Sequence, residues 1–148
     1  MSTTAESKGI VRRYYEETLN ETRMDLLGGV DREGCRQPRP TVRRDAPPEE
    51  ARGFEGFRRH AEIFHEAFPD GRVSIDDIIA ERDTVAARFT IEGTHEVRFG
   101  GIEPTGNRIS ETAMVFYRIE GGKIAERLLE SDNLEMLRQL DALELLAA

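Results

Sequence analysis

Glu111, Tyr117 and Arg127 are the residues through which this sequence can do acid–base chemistry at one place. Glu111, Val115 and Tyr117 share one parity of the alternating run Ile109–Ile119. Arg127 and Leu129 share one parity of the next run, Lys123–Ser131. The Gly121-Gly122 turn between the runs predicts a hairpin, and alternation places each set on one face. A carboxyl on an apolar face is a general acid or base whose ionisation burial moves toward neutrality. A guanidinium and a phenol hydroxyl are donors for substrate oxygens. The structural alternative for Glu111 is a strand-edge carboxylate paired with an arginine.

Other candidates lie further upstream. Tyr14 and Tyr15 sit on the inner side of the first helix, with Tyr15 the choice for a hydroxyl turned inward. His60 and His65 border the aromatic face of a second helix, whose Phe57, Phe64 and Phe68 are core residues first and pocket wall second. His95 lies at a strand end, where a hydrogen bond to the following loop accounts for it. Asp132 reads as the cap of the last helix, in Asp132-Asn133-Leu134-Glu135, and Glu130 has the parity of a solvated residue. No pair of histidines stands at ligand spacing with a carboxylate, so no metal site is expected. The glycine turns lack the Gly-Lys-Ser/Thr of a phosphate loop.

The elements that must position these residues run in a simple order. Residues 1–6 are polar and expected to be loose. From Ser7, Ile10, Val11, Tyr14, Tyr15 and Leu19 recur at helical spacing until Asn20. A short second helix holds Met24, Leu26 and Leu27. Residues 30–52, with six arginines and four prolines, read as an irregular segment whose basic side chains suit a solvated loop or an anionic group at a pocket mouth. A long helix from about Gly53 to Phe68 ends at Pro69-Asp70-Gly71. Strands follow at Arg72–Ala80, through Val73, Ile75 and Ile79, and at Thr84–Gly93, and then the hairpin and a closing helix. Helices segregated from antiparallel strands mean an α+β fold. Ala113, Met114, Val115 and Phe116 are apolar on both parities, so helices should cover one sheet face and a second subunit the other.

The chain has 148 residues, enough for a single domain, 1–148, with a core and one pocket. Its 21 basic and 29 acidic residues give a net charge of −8, which argues against nucleic-acid binding. Cys35 alone makes no internal disulfide. No signal-like start or apolar span is present, so a cytoplasmic location away from any membrane is expected.

Four pieces, IVRRYYEETLN, HEAFPDGRVSIDDIIAERDTVAARFTIEGTH, GGIEPTGNRI and YRIEGGKIAERLLESDNLEMLRQL, resemble the SnoaL-like polyketide cyclases of the nuclear-transport-factor-2-like superfamily. The resemblance implies a cone-shaped barrel in which a curved, mostly antiparallel sheet wraps around N-terminal helices. It also implies a deep apolar pocket for a hydrophobic polyketide-like substrate, a homodimer through the sheet face, and cofactor-free aldol-type cyclisation or isomerisation in secondary metabolism, as in antibiotic biosynthesis. It places a polar pocket residue near Gln37, an acid/base aspartate at Leu129 and a histidine at Val115. Here both of the last two are aliphatic. The expected catalytic set is therefore Glu111 with Arg127, Tyr15, His65 or Tyr117, and the expected substrate-binding set is Gln37, Phe57, Phe64, Phe68, Val115, Tyr117 and Leu129. A pocket that encloses a substrate or binds a small molecule without acid–base chemistry is the second expectation. An interaction module using the sheet face is the third.

Overall fold

The computed structural model describes residues 3–20, 58, 62–99 and 101–144. Helix α1, Thr4–Arg13, begins three residues before the apolar periodicity does, within the stretch expected to be loose. The cause is local. The Thr3 hydroxyl accepts from the Glu6 N–H at 3.1 Å, and the Glu6 carboxylate accepts from the Thr3 N–H at 2.7 Å. This capping box satisfies two donors that a helix start leaves orphaned.

Tyr14–Leu19 continues α1 as a π-helical turn. Asn20 N–H donates to the Tyr15 carbonyl at 3.0 Å, the longer closure of a π turn. Both neighbouring tyrosines, Tyr14 and Tyr15, are buried there. Asn20 ends the turn and fastens it to the sheet. Its amide donates to the Val73 carbonyl and accepts from the Val73 N–H, both at 2.7 Å, as one residue of an added strand would.

Four strands form an antiparallel meander in the order β1-β2-β3-β4. They are β1 (Arg72–Glu81), β2 (Thr84–Thr94), β3 (Arg108–Glu120) and β4 (Lys123–Ser131), each within a residue of the alternation-based boundaries. One parity is corrected. The β1–β2 register shifts between Ile75 and Asp77, and the extra residue inverts the alternation beyond it. Val73 and Ile75 face inward, but Ile78 and Ala80 then take their place, and Ile79 is left 70 % exposed on the outer face.

Residues 62–67 form the helical piece α2 that precedes the sheet. Asp70, just beyond it, accepts from the Thr94 N–H at 2.7 Å and the Thr94 hydroxyl at 2.8 Å, which ties the end of α2 to the end of β2. Gly71 and Gly93 permit this approach. A Cβ on Gly71 would stand 2.7 Å from the Phe68 carbonyl oxygen, and one on Gly93 would stand 2.9 Å from the Phe68 Cβ. The short helix expected at 22–27, the segment 30–52 and the start of the aromatic helix lie outside the described residues.

Helix α3, Asn133–Gln139, follows β4 directly, and Asp132 caps it by accepting from the Glu135 N–H at 3.1 Å. β3 runs on past the end of β4, and Gln139 pairs with the backbone exposed there. Ser110 N–H donates to its Oε1 at 2.6 Å, and its Nε2 donates to the Ser110 carbonyl at 3.0 Å.

The interior divides into two apolar clusters. The larger packs Val11, Tyr14 and Tyr15 against Val85, Phe89, Ala113, Val115 and Tyr117 of the sheet. The smaller packs Ala67 and Phe68 against Ile109, Met136, Leu137 and Leu140. Along the inner face of β3, Ile109 belongs to the second and Ala113 to the first. The position between them is Glu111.

Candidate active site

The inner face of β3 is read directly from its burial, which alternates without a break through Ile109, Glu111, Ala113, Val115, Tyr117 and Ile119. The expected parity of Glu111, Val115 and Tyr117 therefore holds. Pairing with β4 puts Val115 opposite Leu129 and Tyr117 opposite Arg127. Pairing with β2 puts Glu111 opposite Ile91. Sharing a face is not proximity, however. Glu111 and Tyr117 are six residues apart, about 20 Å along an extended strand, so the polar groups form two clusters with an apolar stretch between them.

The first cluster is centred on Glu111. It is 4 % exposed, and its Oε1 has no hydrogen-bond partner. Burial pushes the carboxyl up to about 7; the Ser131 hydroxyl opposes this, and the negative charge of Asp132 adds to it. Ser131 is the last inward residue of β4, paired with Ala113, and its hydroxyl also reaches the Asn133 Oδ1 at 3.0 Å. A carboxyl balanced between its two forms near neutral pH, with one oxygen unsatisfied, is equipped to take up and return a proton.

The second cluster is Tyr15, Tyr117 and Arg127. The two tyrosine hydroxyls share a hydrogen bond, and the rings meet edge-on at 6.1 Å. Tyr15 also lies 4.8 Å from the Phe89 ring. Burial holds both phenols above their usual ionisation range, and the Arg127 guanidinium partly offsets this. Both stay neutral donors at any ordinary pH. Arg127 is 4 % exposed, so its charge works in a medium of low effective dielectric.

The remaining expected residues are spread around these clusters. Val115 is buried and Leu129 half-buried, and together they form the aliphatic floor between the polar ends. Phe68 is buried, Phe64 is half-buried beside it at 5.6 Å between rings, and His65 is half-buried against Phe64 at 5.5 Å. Gln37, Phe57 and His60 lie outside the described residues. His95 is fully buried, with Nδ1 3.1 Å from the Thr105 hydroxyl, which is the loop contact expected for it. Asp132 is the expected helix cap. Alternation did not single out Ser131 and Asn133. The signal for Ser131 was present, since it shares its parity with Arg127 and Leu129.

Among the described residues, no group of three or more His, Cys, Asp or Glu could hold a metal ion. Nor does any described helix have the length and apolarity to cross a membrane. The outer face carries a transverse apolar row, Ile79–Ala86–Phe116–Leu128, each residue pairing with the next across the sheet. Ile79, Phe116, Leu128 and the neighbouring Met114 are 48–70 % exposed. Charged rows flank it, with Asp77 and Arg88 paired at 2.9 Å on one side and Arg118 and Glu126 at 3.4 Å on the other.

The family model for SnoaL-like polyketide cyclases matches residues 9–140. No curated protein sequence matches the chain. Solved structures do. TsrD from Streptomyces laurentii is 27 % identical with a TM-score of 0.83, over 96 % of this chain and 99 % of that one. IdmH from Streptomyces antibioticus, a candidate polyketide cyclase, is 29 % identical with a TM-score of 0.76, over 91 % and 98 %. AclR from Streptomyces galilaeus, a candidate hydroxylase, is 22 % identical with a TM-score of 0.76, over 95 % and 87 %, a likeness of fold alone.

Proposed function

The chain belongs to the SnoaL-like polyketide cyclase family, and we propose that it cyclises a hydrophobic polyketide-like substrate by proton transfer at Glu111. The observation that carries this reading is the buried carboxyl of Glu111, its Oε1 without a hydrogen-bond partner, at the seam of the two cores. In its ionised form Glu111 removes a proton from a carbon α to a carbonyl, which leaves an enolate. The enolate carbon bonds to a second carbonyl of the same molecule. The alkoxide formed there takes the proton back from Glu111, so the product is an isomer of the substrate and nothing is consumed.

Arg127 and the Tyr15–Tyr117 pair hold an oxygen at the other end of an elongated substrate. The aliphatic stretch between the two clusters, with Val115 and Leu129, lies against the carbon skeleton, and Phe64, Phe68 and His65 complete the wall. The likeness to IdmH supports a cyclase-type role, and the absence of acid/base groups at positions 115 and 129 favours Glu111 as their replacement. The same absence favours a second reading, enclosure of a reactive conformer with no proton transfer by the protein.

A panel of aromatic and polyene polyketide-type compounds, incubated with the wild type and with Glu111→Gln, separates the two. Acid–base catalysis predicts product with the wild type and at least a ~100-fold slower rate with Glu111→Gln. Equal rates would leave enclosure as the mechanism. We also propose that the protein is a homodimer through the outer sheet face, because an exposed apolar row of this kind marks an association surface.

A further inference from the structure

His95 is gripped by the loop that follows it, and the hydrogen bonds decide which ring nitrogen carries the proton. Thr105 N–H donates to Nδ1 at 3.3 Å, and the Thr105 hydroxyl stands 3.1 Å from the same nitrogen. That hydroxyl accepts from the Asn107 N–H at 3.1 Å, which leaves its own proton for the ring. Nδ1 is therefore an acceptor, and the neutral imidazole keeps its proton on Nε2. The ring is fully buried, and Nε2 has no hydrogen-bond partner. A second proton can enter only at Nδ1, where it meets the Thr105 N–H, donor against donor. The Thr105 hydroxyl can rotate to accept it, but the backbone N–H cannot turn without moving the loop.

We propose that His95 is an acid-sensitive latch: its neutral ring holds the 96–106 loop shut over the smaller core, and protonation of Nδ1 releases it. The loop is built as a flap. His95 N–H donates to the Asn107 carbonyl and Gly106 N–H to the His95 carbonyl, both at 2.9 Å, which closes its base. Glu96 N–H, donating to the Ala67 carbonyl at 3.1 Å, fastens that base to α2. At the tip Phe99 and Ile102 exchange backbone bonds of 3.0 and 2.8 Å, around a turn that holds Gly101 at a φ of 83°. Both side chains pack on the smaller cluster. The Phe99 ring meets Phe68 edge-on at 5.5 Å, and the His95 ring lies 5.7 Å from Phe68. Lifting the flap uncovers Phe68 and Ile109. Ile109 is one inward position from Glu111, so the flap guards that end of the site, a consequence that rests on Glu111 being the proton-transferring group. The latch itself does not depend on it.

Burial holds the ionisation of His95 below its ordinary range, and the Val97 backbone opposes this. The charged groups on the surrounding elements are engaged or exposed. Arg98 and Glu103 pair at 3.2 Å on the flap. Asp70, beyond α2, accepts from Thr94 and lies 3.6 Å from Arg108. Asp141, after α3, accepts from the Asn107 amide at 3.0 Å, and within α3 Glu135 pairs with Arg138. Glu66 and Glu96 are exposed, and His65 stands against Phe64. Glu111 lies four residues beyond Asn107.

The test is nitrogen-15 NMR of labelled histidine, with amide hydrogen exchange, in the substrate-free protein. The latch predicts a His95 ring protonated on Nε2 alone at neutral pH, titrating below the ordinary value of about 6.5. Corrected for intrinsic exchange, protection of the Phe99, Ile102, Thr105 and Gly106 amides should fall about tenfold per pH unit below about 6.5. The fall should level off where the closed form itself titrates. Protection there should stay well below that of the β3–β4 amides, because the flap opens without the sheet. His95→Asn offers an acceptor that does not titrate, so it should abolish the pH dependence, and Glu111→Gln should leave it intact. A wild-type ring protonated on Nδ1 at neutral pH, or flap protection constant between about pH 4 and 7, would overturn the latch. So would flap amides that exchange only together with the sheet, or a dependence retained in His95→Asn. Because the readout is the flap and not turnover, its failure leaves the turnover test of Glu111 standing by itself.

Discussion

Val115 and Leu129 stand directly opposite each other across β3 and β4, both turned to the interior. They occupy the two positions where the family resemblance leads one to look for a histidine and an aspartate. With an aliphatic pair in the middle of the sheet, the buried polar side chains stand to either side of it, Glu111 at one end and Tyr15, Tyr117 and Arg127 at the other.

Glu111 gives a stability signature with a definite sign. Its carboxyl titrates near 4.5 unfolded and about 7 folded, so between those values the folded state holds more protons. The stability this carboxyl contributes is fully present below pH 4.5 and is lost as pH rises through 7, by at most about 3 kcal/mol. Denaturant unfolding across pH 4–8 should show Glu111→Gln losing this decline, so that the variant gains on the wild type above neutrality.

The Tyr15–Tyr117 bond couples α1 to the sheet. Removing either hydroxyl leaves the other buried with a lost partner, so Tyr15→Phe or Tyr117→Phe should each cost about 1–3 kcal/mol. The double variant should cost less than the sum. Strict additivity in urea unfolding would show that the hydroxyls do not support each other.

Asn20 should matter for stability and not for chemistry. Asn20→Ala leaves the Val73 N–H and carbonyl without their side-chain partners and should lower stability by about 1–3 kcal/mol. Carbon NMR should find the Glu111 midpoint unchanged in this variant.

Gly93 admits Phe68 to the smaller core. In Gly93→Ala the new methyl would meet Phe68 Cβ at 2.9 Å and Gly71 Cα at 3.2 Å, and backbone cannot yield as a flexible side chain does. Overpacking of this kind should cost about 1–3 kcal/mol, read as a lower thermal midpoint.

The outer row makes a prediction about assembly. Phe116→Glu places a charge in the middle of Ile79–Ala86–Phe116–Leu128 and should shift the protein to a monomer in analytical ultracentrifugation. The Glu111 midpoint should stay where it is, because Phe116 faces away from the site.

Much of this was legible in the sequence because β3 alternates over its whole length. Period-2 patterning gave the strand boundaries, the inward parity of Glu111 and the hairpin partners of Val115 and Tyr117. Asp132 announced itself as a cap by its spacing from Glu135. Parity carries no distance, however, which is why Glu111 and Arg127 read as one constellation when six residues of strand separate their levels. The bulge after Ile75 cannot be seen in composition, and so Ile79 was assigned to the wrong face. The Thr3–Glu6 box was visible as a Thr-x-x-Glu spacing but lay in a stretch with no apolar period. Ser131 was hidden by its own neutrality, since only its hydrogen bond to Asn133 distinguishes it.

The measurement that bears most directly on the account is the pH titration of the Glu111 carboxyl in the wild-type protein, with Glu111→Gln identifying the resonance. A midpoint near 7 would show a carboxyl held ready to exchange a proton at neutral pH, as catalysis at this residue requires. A midpoint near 4.5 would mean an ordinary solvated carboxylate, and it would contradict the assignment of Glu111 as the acid–base group.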